Sequence, residues 1–278
     1  MRIAFLKMHG AANDFVVIDH RRPFLPEPHD ALVRRLCDRR RGVGADGVLL
    51  LEGDAELDFA MRYYNADGRP ADYCGNGARC VARLALDLGL GHDDEVRFRT
   101  AVGPQSARRG AGGRGIDLHF GRVVGEPEPL SVEAQGRRFD GHFVRAGVPH
   151  FVVAVERVEW TPVPEWGAAL RQHPRFAPAG ANVDFVAALG PGRIAMRTYE
   201  RGVEAETLAC GSGAIASALV AEARGERSPV TVVTAGGDEL VVAFREVEGG
   251  RDVRLGGPAE IAFRGEWMEP AAVGAGRE

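Results

Sequence analysis

The chain repeats itself. Cys74-Gly-Asn-Gly-Ala-Arg-Cys-Val-Ala-Arg-Leu84 is echoed by Cys210-Gly-Ser-Gly-Ala-Ile-Ala-Ser-Ala-Leu219, 136 residues later. Upstream, Met61-Arg-Tyr-Tyr-Asn65 matches Met196-Arg-Thr-Tyr-Glu200 at an offset of 135, and Asp14-Phe-Val-Val17 matches His150-Phe-Val-Val153 at 136. Three matches in one order at nearly one offset imply two similar halves. The polar, proline-bearing stretch from Gly121 to Gln135 is the natural seam. A length of 278 residues suits two moderate domains. With 45% hydrophobic and 27% charged residues, each half can bury a core without staples.

Within each half, strands come first, then a turn, then a helix. Phe15-Val-Val-Ile18, Gly47-Val-Leu-Leu-Leu51 and Phe151-Val-Val-Ala-Val155 are short apolar runs of the strand type. Ala78 to Leu88 spaces Val81, Leu84, Ala85 and Leu88 like a helix that Gly89 stops. Ala214 to Ala223 is nearly all small and apolar, and a helix apolar all round is a buried one. Each half therefore reads as a sheet wrapped around, or packed on, a central helix. Gly110-Ala-Gly-Gly-Arg-Gly115 reads as a turn or loop tip.

Each repeated cysteine stands just before a glycine-rich turn that opens such a helix. Glycine lets the backbone come close to a ligand, and the free amides of a helix start bind anions. A carboxylate fits there beside the sulfur. The same position favours thiolate over thiol. A helix terminus contributes only ~0.3–2 kcal/mol to a nearby anion, whereas one well-placed oxyanion donor contributes ~2.7–4 kcal/mol to a transition state. Two helix starts aimed at one carboxylate can thus do what one cannot: hold the charge that builds on its oxygens when the α-proton leaves. Inverting a carbon needs a base on one face and an acid on the other, a task suited to a thiolate and a thiol that exchange roles. A lone glycine-flanked cysteine would read instead as a small buried hydrophobe. Cys37 and Cys80 lack the turn and are expected to pack in the core.

Composition removes several other chemistries. Lys7 is the one lysine and lies inside an apparent strand, a poor place for the Schiff base of a pyridoxal-phosphate enzyme. The four cysteines form no disulfide framework and no common zinc spacing. No cofactor and no metal are expected. A net charge of −4 gives no reason to expect nucleic acid, and the short basic run from Arg34 to Arg41 reads as a solvated helix face. No run approaches the ~20 apolar residues of a spanning helix, and MRIAFLKMHG lacks the features of a signal peptide. The expected setting is the cytoplasm, with no membrane partner. Gly42-Val-Gly-Ala-Asp-Gly47 matches a dinucleotide fingerprint by letters only, because it precedes a strand rather than opening a helix.

The combination of motifs resembles the diaminopimelate epimerase family over essentially the full length. Its opening G-x-G-N-D-F is present as Gly10-Ala-Ala-Asn-Asp-Phe15, G-A-D-G as Gly44 to Gly47, N-x-D-G as Asn65 to Gly68, and C-G-N-G as Cys74 to Gly77. The second half carries Ala181-Asn-Val-Asp184, Glu200-Arg-Gly202, Glu206-Thr207, Cys210-Gly-Ser-Gly213 and a closing Gly256-Gly-Pro-Ala259. The resemblance implies an α+β fold of two pseudo-symmetric domains, each a mostly antiparallel sheet around a central helix, with the active site in the cleft between them. Residues 1–120 with the 262–278 segment would form one domain and 121–261 the other. It implies cofactor-free interconversion of LL- and meso-diaminopimelate, in lysine and peptidoglycan precursor synthesis. By position, Cys74 and Cys210 would be the two bases. Gly75, Asn76, Gly211 and Ser212 would hold the reacting carboxylate. Asn13, Asn65, Asn182, Glu200 and Arg201 would hold the rest of the substrate, with Arg201 on the distal carboxylate, which a guanidinium can pair bidentately.

Two positions depart from the family pattern. Ala12 replaces a glycine, which is tolerable unless φ there is positive. Gly147-Val-Pro-His150 has Val148 where the family often has asparagine, and a valine cannot replace an amide that bonds substrate. His150 reads equally well as a proton partner of Cys74 or Cys210 and as a packed, hydrogen-bonded histidine. Two rival functions stay open: a racemase for another amino acid on the same scaffold, and a redox sensor pairing Cys74 with Cys210. The expected partner is a small diamino dicarboxylic acid; a homodimer is an assembly the sequence leaves open.

Overall fold

A computed structural model describes residues 1–71, 73–110, 113 and 115–269. The first half runs β1 (Arg2–Gly10), β2 (Asn13–Asp19), α1 (Asp30–Cys37), β3 (Gly47–Glu52), β4 (Phe59–Asn65), α2 (Gly75–Asp87), β5 (Glu95–Thr100), β6 (Gly103–Arg109) and β7 (Ile116–Val123). After β8 (Glu128–Ala134), the second half runs β9 (Arg137–Ala146), β10 (Val148–Ala154), α3 (Val163–Arg171), β11 (Asn182–Gly190), β12 (Arg193–Glu200) and β13 (Ala205–Thr207). It continues with α4 (Gly211–Ala223), β14 (Val230–Val233), β15 (Glu239–Val247), β16 (Gly250–Gly257) and β17 (Glu260–Met268). The fold is α+β, mostly sheet with few helices, as the motifs implied. Part of the Gly110–Gly115 run and the chain from 270 onward lie outside the described residues.

The pairings repeat as the sequence does. The parallel pair β2–β3 has its counterpart in β10–β11, and β4–β5 in β12–β14. The antiparallel pair β3–β4 corresponds to β11–β12, and β5–β6–β7 to β14–β15–β16. The last strand of each repeat crosses over: β17 pairs with β1, and β8 pairs with β9. Strands β7 and β16 join the halves into one continuous sheet.

Each sheet encloses one helix. Helix α2 touches β1 through β7, and α4 touches β9 to β12 and β14 to β16. The enclosure explains the composition of α4, in which every residue from Gly213 to Ala221 is buried. Helices α1 and α3 lie outside the sheets over separate clusters, centred on Leu36, Val48 and Leu50 in one half and on Phe151, Leu170 and Phe185 in the other. The β1–β2 hairpin turns on Ala11 and Ala12, with φ of 54° and 64°. Two positive φ values in a two-residue loop make the mirror-image turn that matches strand twist, a conformation glycine or asparagine adopts more readily than alanine. The proviso attached to Ala12 is therefore met: its φ is positive, and it carries that strain. Ala11, with no exposed surface, reaches past its own half into the core around α4.

Cys37 and Cys80 pack in the cores, as expected. Burial pushes both thiols up to about 12. In the unfolded chain they ionise near ~8.5, so stability present below that pH drains away as pH climbs toward 12. Melting temperature is expected to fall across that window, and Cys80→Ala is expected to flatten the fall. A wild-type slope in that variant would assign the alkaline loss to other groups.

Candidate active site

Cys74 and Cys210 occupy the same place in the two halves, each the residue before its central helix, with extended φ of −143° and −125°. The first intrahelical bonds are Ala78 N–H to the Cys74 carbonyl and Ala214 N–H to the Cys210 carbonyl. The amides of Gly75, Asn76 and Gly77, and of Gly211, Ser212 and Gly213, therefore have no carbonyl partner within their own helices. The starts meet: α2 contacts α4, and a Cβ on Gly211 would stand 4.0 Å from Asn76 Oδ1. The Glu200 carboxylate acts on both sulfurs and raises both thiols.

Around Cys74 the partners are amides. Its Sγ–H donates to Asn13 Oδ1 at 3.5 Å, and Asn76 Nδ2 donates to the same oxygen at 3.3 Å. Asn13 Nδ2 in turn donates to Asp46 Oδ2 at 2.7 Å. Behind this lies an ion-pair cluster. Arg39 bonds Asp14 and Asp46, each at 2.8 Å, and Lys7 pairs with Asp14 at 2.5 Å. Burial opposes ionisation of Asp14, but Arg39 and Lys7 overcome it and hold the carboxyl down at about 2. Arg39 thus does more than solvate a surface, correcting the reading of the basic run. It follows α1 in the chain and ties the loop before β3 to β2.

Around Cys210 the partners form an ordered chain. Cys210 Sγ lies 3.6 Å from Ser212 Oγ, which lies 3.0 Å from His150 Nε2. His150 has no exposed surface, and its Nδ1 meets Asp184 Oδ2 at 2.7 Å. Thr198 Oγ1 donates to the other Asp184 oxygen at 2.7 Å. Asn182 Nδ2 faces His150 Nε2 at 3.3 Å, and Asn182 Oδ1 accepts the Arg201 amide at 2.7 Å. These contacts leave one consistent tautomer: Nδ1 carries the proton toward Asp184, and Nε2 accepts. Gly213 is required here, because a Cβ would stand 2.4 Å from Asp184 Oδ1. Of the two readings of His150, the structure shows it packed, hydrogen-bonded and one hydroxyl away from a repeated cysteine.

One expectation is reversed. Burial raises the Cys74 thiol, and the amides of Gly77 and Asn76 only partly offset it. Cys210 is raised well above the ordinary thiol range by burial, then by Glu200 and Asp184. Both cysteines rest as thiols, because desolvation outweighs a helix terminus. Glu200 is itself raised by burial, with Thr207 and His150 pulling the other way.

The remaining candidates surround this centre. Asn65 is exposed at the end of β4, and Glu200 ends β12, the equivalent strand. Arg201 follows Glu200; its guanidinium makes one long bond, 3.4 Å, to the Ala179 carbonyl and has no carboxylate partner among the described residues. Val148 opens β10 opposite Ala146, across Gly147 at φ 76°. Asp46, Asp184 and Thr198 were not singled out as site residues. The first two stand inside quoted motifs and Thr198 inside the repeated segment Met196–Glu200, so a signal was available for each.

Comparison with known proteins places the whole chain in a family. The model of the family described as diaminopimelate epimerase matches residues 5–119 and 142–259. A diaminopimelate epimerase of Aquifex aeolicus is 40% identical over 276 residues, covering 95% of this chain and 98% of the relative. One from Chlorobaculum tepidum is 37% identical, over 93% of this chain and 98% of its own length. Among solved structures, a phenazine biosynthesis protein of the PhzF family from Enterococcus faecalis shares the fold with a TM-score of 0.72 at 18% identity, covering 97% of this chain and 100% of its own. A hydroxyproline epimerase from Agrobacterium vitis does so with a TM-score of 0.66 at 20% identity, over 95% of this chain and 92% of its own. With both duplicated halves matched and relatives alike over nearly its whole length, the chain belongs to the diaminopimelate epimerase family.

Proposed function

We propose that this chain interconverts LL- and meso-diaminopimelate by passing the α-proton between Cys74 and Cys210, without a cofactor, in lysine and peptidoglycan precursor synthesis. The observation that carries the reading is the meeting of two equivalent Cys–Gly helix starts. The substrate's α-carboxylate lies between them, taking amides from Gly75, Asn76, Gly211 and Ser212. Proton removal moves charge onto those oxygens, where each donor contributes ~2.7–4 kcal/mol. The reaction needs one thiolate and one thiol, and both rest as thiols. Cys210 can lose its proton to Ser212 Oγ while that hydroxyl passes its own proton to His150 Nε2, leaving an imidazolium beside Asp184. The thiolate then takes the α-proton from one face, and the Cys74 thiol supplies a proton to the other; in reverse, the roles exchange. Asn13, Asn65, Asn182, Glu200 and Arg201 bind the substrate's other groups, with Glu200 accepting from an ammonium and Arg201 pairing with the distal carboxylate.

This reading divides the chain into 1–120 with 262–278, and 121–261. It places the work in the cytoplasm, where thiols stay reduced. Among the described residues, no helix is long and apolar enough to cross a membrane. Turnover in deuterated water tests the proposal. The inverted product is expected to gain one solvent deuterium at the α-carbon, while amino acids without a distal carboxylate react far more slowly. Inversion without label would exclude proton exchange, and preference for a monocarboxylic amino acid would exclude the substrate.

A further inference from the structure

Arg79 is a buried cation that the two-thiol reading does not use. It lies in the first turns of α2 with no exposed surface, among the buried residues Ala78, Cys80 and Val81. Such a charge is costly to bury unless it is paired. No carboxylate pairs with it among the described residues. Its Nη2 donates to Asn76 Oδ1 at 2.8 Å, its Nε donates to the Pro258 carbonyl at 3.3 Å, and its Nη1 is buried with no partner among the described residues. Gly257 leaves room for it and for Leu240: a Cβ there would stand 2.5 Å from Leu240 Cδ2, 3.2 Å from Arg79 Nε and 3.3 Å from Cζ. Nothing in the packing of α2 calls for a guanidinium there.

The hydrogen bonds leading away from Arg79 all point one way. Arg79 donates to Asn76, Asn76 to Asn13 at 3.3 Å, and Asn13 to Asp46 at 2.7 Å. A cation stands at one end and an anion at the other. That polarity leaves one orientation for each amide, and it turns Asn13 Oδ1 toward the Cys74 sulfur. The chain also gives a task to the two motifs that the reaction itself leaves idle. Gly256-Gly-Pro-Ala259 seats the guanidinium, and Gly44-Ala-Asp-Gly47 supplies the terminal carboxylate.

Resting on the two-thiol reading, we propose that Arg79 is a positioning residue: it locks Asn76 and Asn13 through an amide relay ending at Asp46. It also keeps an uncompensated positive charge behind the α-carboxylate subsite, which the bound anion neutralises. Its worth lies in turnover rather than in stability.

Arg79→Met separates those two quantities. The side chain keeps its length and loses its charge and donors. Turnover of diaminopimelate is expected to fall by about 100-fold or more, the scale of losing one oxyanion donor. Melting temperature is expected to hold or rise, because an unpaired buried charge is gone. Arg79→Lys, which keeps the charge but not the planar fork, is expected to fall between. A folded Arg79→Met with wild-type kcat, or a lowered melting temperature with unchanged kcat per folded molecule, overturns the proposal. Should Arg79→Met fail to fold, Arg79→Lys decides: it keeps the charge and loses the planar fork, so kcat is expected to fall while KM stays close to that of the unsubstituted enzyme. A folded Arg79→Lys with wild-type kcat overturns the relay. If the unsubstituted enzyme exchanged no α-proton, the two-thiol reading itself would fail. If it exchanges and Arg79→Met does so equally well, only the role of Arg79 fails.

Discussion

Cys74→Ala and Cys210→Ala are each expected to abolish inversion, with turnover down by about 10²–10⁴-fold, while the fold survives. That range is what a positioned acid or base contributes to proton transfer. Two positions are needed because inversion requires action on both faces of one carbon, so neither sulfur can stand in for the other. The fold tolerates the change because each cysteine precedes its helix rather than filling the centre of a core, and alanine keeps the Cβ. A single variant can still strip the proton from one enantiomer and return it to the same face. The measurement that matters is therefore the chirality of the product, by chiral separation, beside a melting curve. Inversion near the wild-type rate in either variant would end the two-base mechanism.

Arg201→Ala is expected to raise KM for diaminopimelate by about 100-fold, with a smaller effect on kcat. Removing one partner of a desolvated charge pair costs ~2–5 kcal/mol, and each 1.4 kcal/mol is tenfold. The structure supplies the reason for choosing this arginine. Its backbone is pinned by Asn182 at 2.7 Å, while among the described residues its guanidinium has only the 3.4 Å bond to Ala179. Two other arginines of the same half, by contrast, are held by carboxylates: Arg197 bonds Glu206 at 2.6 and 2.7 Å, and Arg171 bonds Glu204 at 2.8 Å. Steady-state kinetics with diaminopimelate, and with an amino acid lacking the distal carboxylate, would check this. An unchanged KM for the dicarboxylate would place the distal carboxylate on another group.

The halves, their central helices and the cysteine turns were legible in the chain. A helix start and a buried helix are local matters, written in glycine placement and in a run of small and apolar residues such as Ala214 to Val220, broken only by Ser217. The helices begin three residues earlier than apolar spacing indicated, at Gly75 and Gly211. The Gly-x-Gly residues of each turn carry no periodic signal, though they are already helical.

Residue order by itself determined that there are two equivalent thiols, each at a helix start, because similarity at a fixed offset and helix-start chemistry need only neighbours along the chain. Tertiary structure alone decided that those thiols are raised, because desolvation depends on what packs around them in space, and it outweighs the helix terminus. It alone decided the pairing of the last strand, β17, with the first, β1. It also decided the lodging of Arg79 against Pro258, 179 residues away. Long-range contacts of this kind follow from how two surfaces meet, and no local pattern encodes where a distant carbonyl will stand.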